Sequence, residues 1–407
     1  MPSRRALLST VGAASVALAG CAASATRRVT GRWPQFGRTA ANSGTTAAHG
    51  PVETVEQRWR ADLNFPLRQS PVVADGRVFL GGRDRFVAFD AATGDEAWRQ
   101  SLPERQYVDT TAAVGDGTVV VPMEDVLRAF DAVSGEPLWT TRPGDEVAAP
   151  TLHDGTLYLE IGETGHVEAR SLADGSRLWS TRVGEWGPGP VAVASDTVLA
   201  PGGRRDAPGR LVGLDVATGE KRWSRTFDPE TDTEDRVDGD PTGVSAAGGR
   251  AYVGLDDGSV HAVRVRDGEP VWRFDPGTTL TSDEDGGSAL YGDPGPRQPA
   301  VRAPPAVGDD RVYVAHGDGR LYALDTSGEV QWSFWAWNAL TTQPAVADGA
   351  VYAGCVDNFL YALDPTSGER LWEFATQGRI EGPPAVVDGH VFVASSDNRL
   401  YALGGER

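Results

Sequence analysis

The chain has 407 residues, a formal net charge of −19, 50 glycines and only two cysteines. So acidic a balance excludes nucleic acid as a partner, because its phosphates would be repelled. Lys221 is the single lysine among 38 basic residues, a composition that suits high salt.

In chain order, residues 1–20 read as a signal segment rather than as fold. Ser3-Arg4-Arg5-Ala6-Leu7-Leu8 resembles a twin-arginine export signal. The apolar run Ala6–Ala19 is too short to span a bilayer. It ends in Leu18-Ala19-Gly20-Cys21, which resembles a lipoprotein processing site with Cys21 as the lipidated residue. Removing residues 1–20 takes away two arginines and no acid, moving the charge from −19 to −21. Residues 21–52 are expected to be a tether and lead-in, rich in Ala, Thr, Gly and Arg. Within them sits Trp33-Pro34-Gln35-Phe36-Gly37.

From residue 53 to 407 the chain repeats itself. A tryptophan returns roughly every 40 residues: Trp59, Trp98, Trp139, Trp179, Trp223, Trp272, Trp332 and Trp372. A fixed period of this length signals a repeat architecture. Inside each period, β-branched and aromatic runs alternate with turn signals. Asp-Gly recurs at Asp75-Gly76, Asp116-Gly117, Asp154-Gly155, Asp348-Gly349 and Asp388-Gly389. These pairs favour tight hairpins. Further breaks fall near Asp257-Gly258, Asp318-Gly319 and Asp397-Asn398, and at Thr93-Gly94 or Ser134-Gly135 before the Trp. Three turns joining four strands give one antiparallel sheet per period. A single such sheet cannot bury both faces, so the sheets must stack, which predicts an all-β propeller. Each Trp would bury roughly 150–250 Å² between neighbouring sheets.

Both ends are fragments. Val55–Leu63 is a lone outer strand, and the last copy, Pro384–Leu403, stops before its Trp. Together they complete one blade. The expectation is eight four-stranded blades in a ring closed by the N-terminal strand. Closure joins residues far apart in sequence, so folding should be slow.

The segment Ala88-Phe89-Asp90-Ala91-Ala92-Thr93-Gly94-Asp95-Glu96-Ala97-Trp98 resembles the tryptophan-docking motif of the PQQ-like (quinoprotein) repeat family. Ala129–Trp139 and Ala362–Trp372 do too; Ser171 and Arg264 replace the motif Asp in two other copies. The resemblance implies one of two classes. One is the dehydrogenases that use pyrroloquinoline quinone (PQQ) with calcium. The other is non-catalytic docking platforms, including the BamB-type assembly lipoprotein of Gram-negative bacteria. This chain has no adjacent Cys pair and no Cys-x-x-Cys-His, and no calcium set matches residue by residue. The expectation is therefore a lipid-anchored monomer outside the cytoplasmic membrane, without catalytic residues, metal or cofactor, binding a protein or peptide. A PQQ-dependent oxidoreductase and a small-molecule or polysaccharide binder are the alternatives.

The link from one blade to the next opens on the same face as the turn between the second and third strands. The long segments Asp228–Pro241, Asp275–Ala303 and Gly202–Arg210 should crowd that face. Phe65, Tyr107, Trp186, Trp335 and Trp337 lie in equivalent links and form the candidate binding face. The acidic inserts read as solvated surface, the six histidines show no zinc spacing, and Cys355 reads as a buried small hydrophobe.

Overall fold

The structure is a computed structural model that describes residues 29–102, 108, 110–162, 164–185, 189–204, 207–227, 239–277 and 300–405. The signal segment with Cys21, the aromatics Tyr107 and Trp186, and most of the two acidic inserts lie outside the described residues.

Eight four-stranded antiparallel sheets follow one another along the chain. Blades 1 to 7 span residues 72–101, 113–141, 151–182, 192–226, 241–274, 306–335 and 345–375. Blade 8 combines three strands over 385–404 with Glu56–Asp62 as its outer strand. That strand pairs antiparallel with Arg399–Gly404, placing Trp59 opposite Ala402. The first strands of neighbouring blades touch all the way round, so they line the axis. The core lies in the seams between blades, where the inner strands are buried on both faces. The first turns follow the expected hairpin chemistry: Asp75, Asp116, Asp154 and Asp388 all take positive φ beside their glycines.

The eight periodic tryptophans sit on outer strands and clip each blade to the next. Seven indole N–H groups donate to a backbone carbonyl of the following blade, and the eighth, that of Trp372, donates to the lead-in. The bonds run from Trp59 to Ala91 (3.1 Å), Trp98 to Ala132 (3.1 Å), Trp139 to Leu172 (2.9 Å) and Trp179 to Val216 (3.2 Å). They continue from Trp223 to Val265 (2.9 Å), Trp272 to Thr326 (3.0 Å), Trp332 to Pro365 (3.1 Å) and Trp372 to Pro51 (3.0 Å). The motif Asp shapes the accepting turn: Asp90 Oδ1 accepts from the amides of Ala92 and Thr93 at 2.9 and 3.0 Å. Where Ser171 and Arg264 replace that Asp, a later acid serves. Asp174 accepts from Ser176, and Asp267 from Glu269 N–H and Arg264.

From Val29 onward, the stretch expected to be a tether lies inside the ring and makes one full circuit of it. Asp388 of blade 8 accepts from the Thr30 and Gly31 amides, both at 2.7 Å. Trp33 exchanges two backbone bonds with Val73 of blade 1. Val114 of blade 2 donates to Pro34 O, and Leu152 of blade 3 to Gln35 Oε1. Val193, Ala246, Val307 and Val346 of blades 4 to 7 donate in turn to the carbonyls of Ala40, Ala41, Ser43 and Gly44. Thr45–His49 then runs parallel to the inner strand of blade 7, and Gly389 of blade 8 donates to His49 O at 2.8 Å. The physical reason is that inner strands facing an axis leave one row of amides and carbonyls unpaired. Buried backbone groups need partners, and this coil supplies one to each blade.

Candidate functional site

The circuit meets the inner strands near their first turns, so it closes the bore on the turn face. The opposite face remains concave. There seven inter-blade links, with Thr242 from the first strand of blade 5, surround a central funnel of about 420 Å³. Phe36, from the lead-in, is part of its lining, together with Ser70, Thr111, Thr242, Thr342 and Gln343. The charged lining groups are Arg68, Arg302, Glu146, Glu160 and Glu381, of which Arg68 and Glu381 pair at 3.4 Å.

Glu160 is the penultimate residue of the second strand of blade 3, and it is 1% exposed. Neither carboxylate oxygen has a hydrogen-bond partner among the described residues. The Gly189 amide opposes the burial without making a full hydrogen bond. Burial therefore holds this carboxyl well above the usual carboxylate range. Sequence reading missed both Glu160 and Phe36. Glu160 is one acid among 57 until strand register aligns the blades.

The candidate face is partly described. Trp335 and Trp337 are 57% and 76% exposed, with Ala336 buried between them. Their rings lie 5.6 Å apart at 42°. Trp335 packs beside Gly319, in the second turn of its own blade. Phe65 is half-buried beside Gly82 on the same face. The two positions belong to different links, that leaving blade 6 and that leaving blade 8, so they share the rim without touching. The hairpin around Gly202–Arg210 is long: its strands, Thr197–Arg204 and Ala207–Asp215, have 8 and 9 residues.

Cys355 is free and follows, rather than lies within, the strand Ala350–Gly354. It is buried, its sulfur contacts the carbonyls of Asn338 and Ala339 at 3.3 Å, and burial pushes its thiol up. A thiol so placed is inert. His316 is buried in the second turn of blade 6 with Asp318 at 2.9 Å, and Tyr322 donates to Asp318 at 2.7 Å. Tyr361 and Asp357 repeat that arrangement in blade 7 at 2.7 Å, so it is turn architecture.

The charge of the described lining is against a bound quinone with calcium: PQQ is a flat tricarboxylate and favours cationic walls. Here one of the two lining arginines is already paired with Glu381, and three of the five charged groups are acids. Among the described residues, no group of three or more His, Cys, Asp and Glu could hold a metal ion.

Eight Trp-clipped blades around a link-face funnel define a quinoprotein-type propeller. The chain belongs to the PQQ_2 family, described as outer membrane protein assembly factor BamB, which matches over residues 43–111, 83–254, 230–338, 256–377 and 326–406. It is 24% identical over 300 residues to the outer membrane protein assembly factor BamB of Shewanella oneidensis, covering 70% of this chain and 63% of that protein. The same factor from Moranella endobia is 26% identical over 272 residues, covering 66% and 58%. The chain thus spans less than two thirds of the length of these relatives. Among solved structures, BamB from Moraxella catarrhalis superposes with a TM-score of 0.63 at 15% identity, covering 86% of this chain and all of that one. The quinohemoprotein alcohol dehydrogenase of Comamonas testosteroni gives 0.71 at 16% identity, covering 92% and 81%. These two likenesses share the fold alone.

Proposed function

We propose that this propeller is a non-catalytic scaffold at the cell envelope that docks a protein or peptide on its link face. The observation that carries this reading is the rim pair Trp335 and Trp337. Two large indoles stand in solvent on a rigid ring, at the outer edge of the link face. Exposed paired aromatics on a fixed frame are what interface hot spots are made of. Kinship with assembly-factor propellers supports the same reading. Export through the twin-arginine-like segment and anchoring through Cys21, on the outer face of the cytoplasmic membrane, belong to the proposal.

Partner capture from the organism's own membranes tests it. Wild type is compared with a Trp335→Ala/Trp337→Ala double variant and with a chain lacking residues 228–241 and 275–303. The expected result is a specific partner lost from both variants. Equal recovery from all three rejects the face. Tight PQQ binding together with dye reduction in the presence of calcium would reject the non-catalytic reading.

A further inference from the structure

Register places Glu160 where the other blades carry only small or ring-closed residues. Glu160 lies two residues beyond the partner of Thr151, and two beyond the partners of Val72, Ala113, Ala192, Ser245, Ala306, Ala345 and Ala385 lie Gly81, Pro122, Pro201, Gly254, Ala315, Gly354 and Ala394. That position faces the seam toward the following blade. In six seams an aliphatic side chain from the next link fills it: Leu67, Val108, Val147, Val301, Leu340 or Ile380, each no more than 2% exposed. A Cβ on Gly81, Gly254 or Gly354 would strike Val108, Val301 or Ile380 at 2.3–2.4 Å. Among the described residues 184–185 and 189–190, the link from blade 3 to blade 4 offers only Gly184, Glu185, Gly189 and Pro190. Residues 184–190 read Gly-Glu-Trp-Gly-Pro-Gly-Pro. At this seam the buried side chain at the register position is Glu160.

If filling were its whole role, an apolar side chain of that size would serve better. A buried carboxyl without a partner costs free energy and calls for an explanation. Its surroundings on the funnel wall are small: Ala148, Gly162, Gly189 and Pro190. The other charged groups on the wall are Glu146 on the same blade's inner link, Arg302, and the paired Arg68 and Glu381. Among the described residues of the wall, the one cation outside the Arg68–Glu381 pair is Arg302, in the link before blade 6.

We propose that the funnel wall at the seam between blades 3 and 4 is a subsite for an organic cation, the ammonium or guanidinium group of a ligand, with Glu160 as its counter-charge. This rests on the docking reading in one respect: the natural cation is a Lys, Arg or N-terminal group of the docked partner. Binding converts a protonated carboxyl and an ammonium ion into a carboxylate–ammonium pair and one released proton. Burial disfavours the empty carboxylate, so uptake of a cation should be accompanied by proton release.

The probe is n-hexylamine, titrated calorimetrically into the full chain at pH 7 in two buffers of different ionisation enthalpy, with n-hexanol as the neutral control. The expected result is saturable amine binding, release of close to one proton, and no comparable binding of the alcohol. Glu160→Gln should weaken amine binding roughly tenfold or more, as loss of a charged hydrogen bond does. Its fold should survive, because Gln is the neutral isostere of the protonated acid. Glu160→Leu should abolish amine binding while raising the melting temperature. Absence of amine binding, equal binding of amine and alcohol, or an unaltered Glu160→Gln titration overturns the subsite. Calcium binding that needs Glu160, without amine binding, overturns it too. Partner capture lost in the Trp335/Trp337 variant alongside a negative amine titration would sink the subsite and leave the docking reading standing.

Discussion

The indole nitrogen of Trp372 donates to the carbonyl of Pro51 at 3.0 Å, across 321 residues of sequence. The other seven tryptophans dock on a turn of the next blade. The last docks on the lead-in, because the chain break falls in blade 8. Tyr352 donates to the same Pro51 carbonyl at 2.8 Å.

A chain shortened to begin at Glu53 should therefore lose both bonds to Pro51 and the whole inner circuit. At about 1 kcal/mol per buried hydrogen bond, the expected loss is at least ~5 kcal/mol. Equilibrium urea unfolding measures it as a lower midpoint. An unchanged midpoint would mean that the circuit adds nothing to stability.

Gly94 and Gly117 separate two roles of glycine. Both have positive φ, +78° and +73°. A Cβ on Gly94 would meet the Trp59 ring at 2.6 Å, whereas one on Gly117 meets nothing within 4 Å. Gly117→Ala should cost about 1 kcal/mol, from backbone strain alone. Gly94→Ala should cost about 2–4 kcal/mol, since Trp59 must shift in a packed seam. Thermal melting of the two variants side by side checks the ranking.

Blade 3 carries a buried ion cluster where blade 1 carries Val87 and Phe89. Glu168 bonds Arg170 at 2.6 Å and Arg177 at 3.1 Å, and the Glu168 and Arg170 side chains are 5% and 7% exposed. Glu168→Gln should destabilise by roughly 3–5 kcal/mol, because the Arg170 charge is left buried. The double variant E168V/R170F, which copies blade 1, should be close to neutral or stabilising. Denaturant midpoints distinguish the two outcomes.

His261 packs its ring 5.0 Å from that of Phe227. Burial, helped by Arg273, pushes its imidazole from 6.5 down to about 4. The native state thus favours the neutral ring, and the unfolded chain protonates first. Its contribution is complete above pH 6.5 and is lost as pH falls toward 4, by roughly 2–3 kcal/mol. His390, also lowered by burial, acts in the same sense; Glu160, raised by burial, acts in the opposite one. His261→Gln should flatten the stability profile over this window relative to wild type. Parallel profiles would reject the assignment.

The blades were legible because their instructions are local. Asp-Gly turns, strand alternation and a Trp at fixed spacing each act within about 40 residues. The closing of blade 8 by Val55–Leu63 followed from counting strands. The inner circuit was not legible, for a physical reason. Its contacts run largely through the carbonyls of Pro34, Ala40, Ala41, Ser43 and Gly44, which any residue possesses. Such a segment carries no periodicity and reads as a linker. The exposure of Trp335 and Trp337 was open in the sequence, because a strand end and a link look alike there. Glu160 needed register, since its meaning lies in what seven other blades place at the same point.

The carbonyl of Val29 lies beside Gly76, in the first turn of blade 1. Val29 thus sits on the side of the ring opposite the funnel. If a lipid at Cys21 holds the chain, the bowl faces away from the bilayer, rim outward. Visitors to the funnel would then arrive from the exterior.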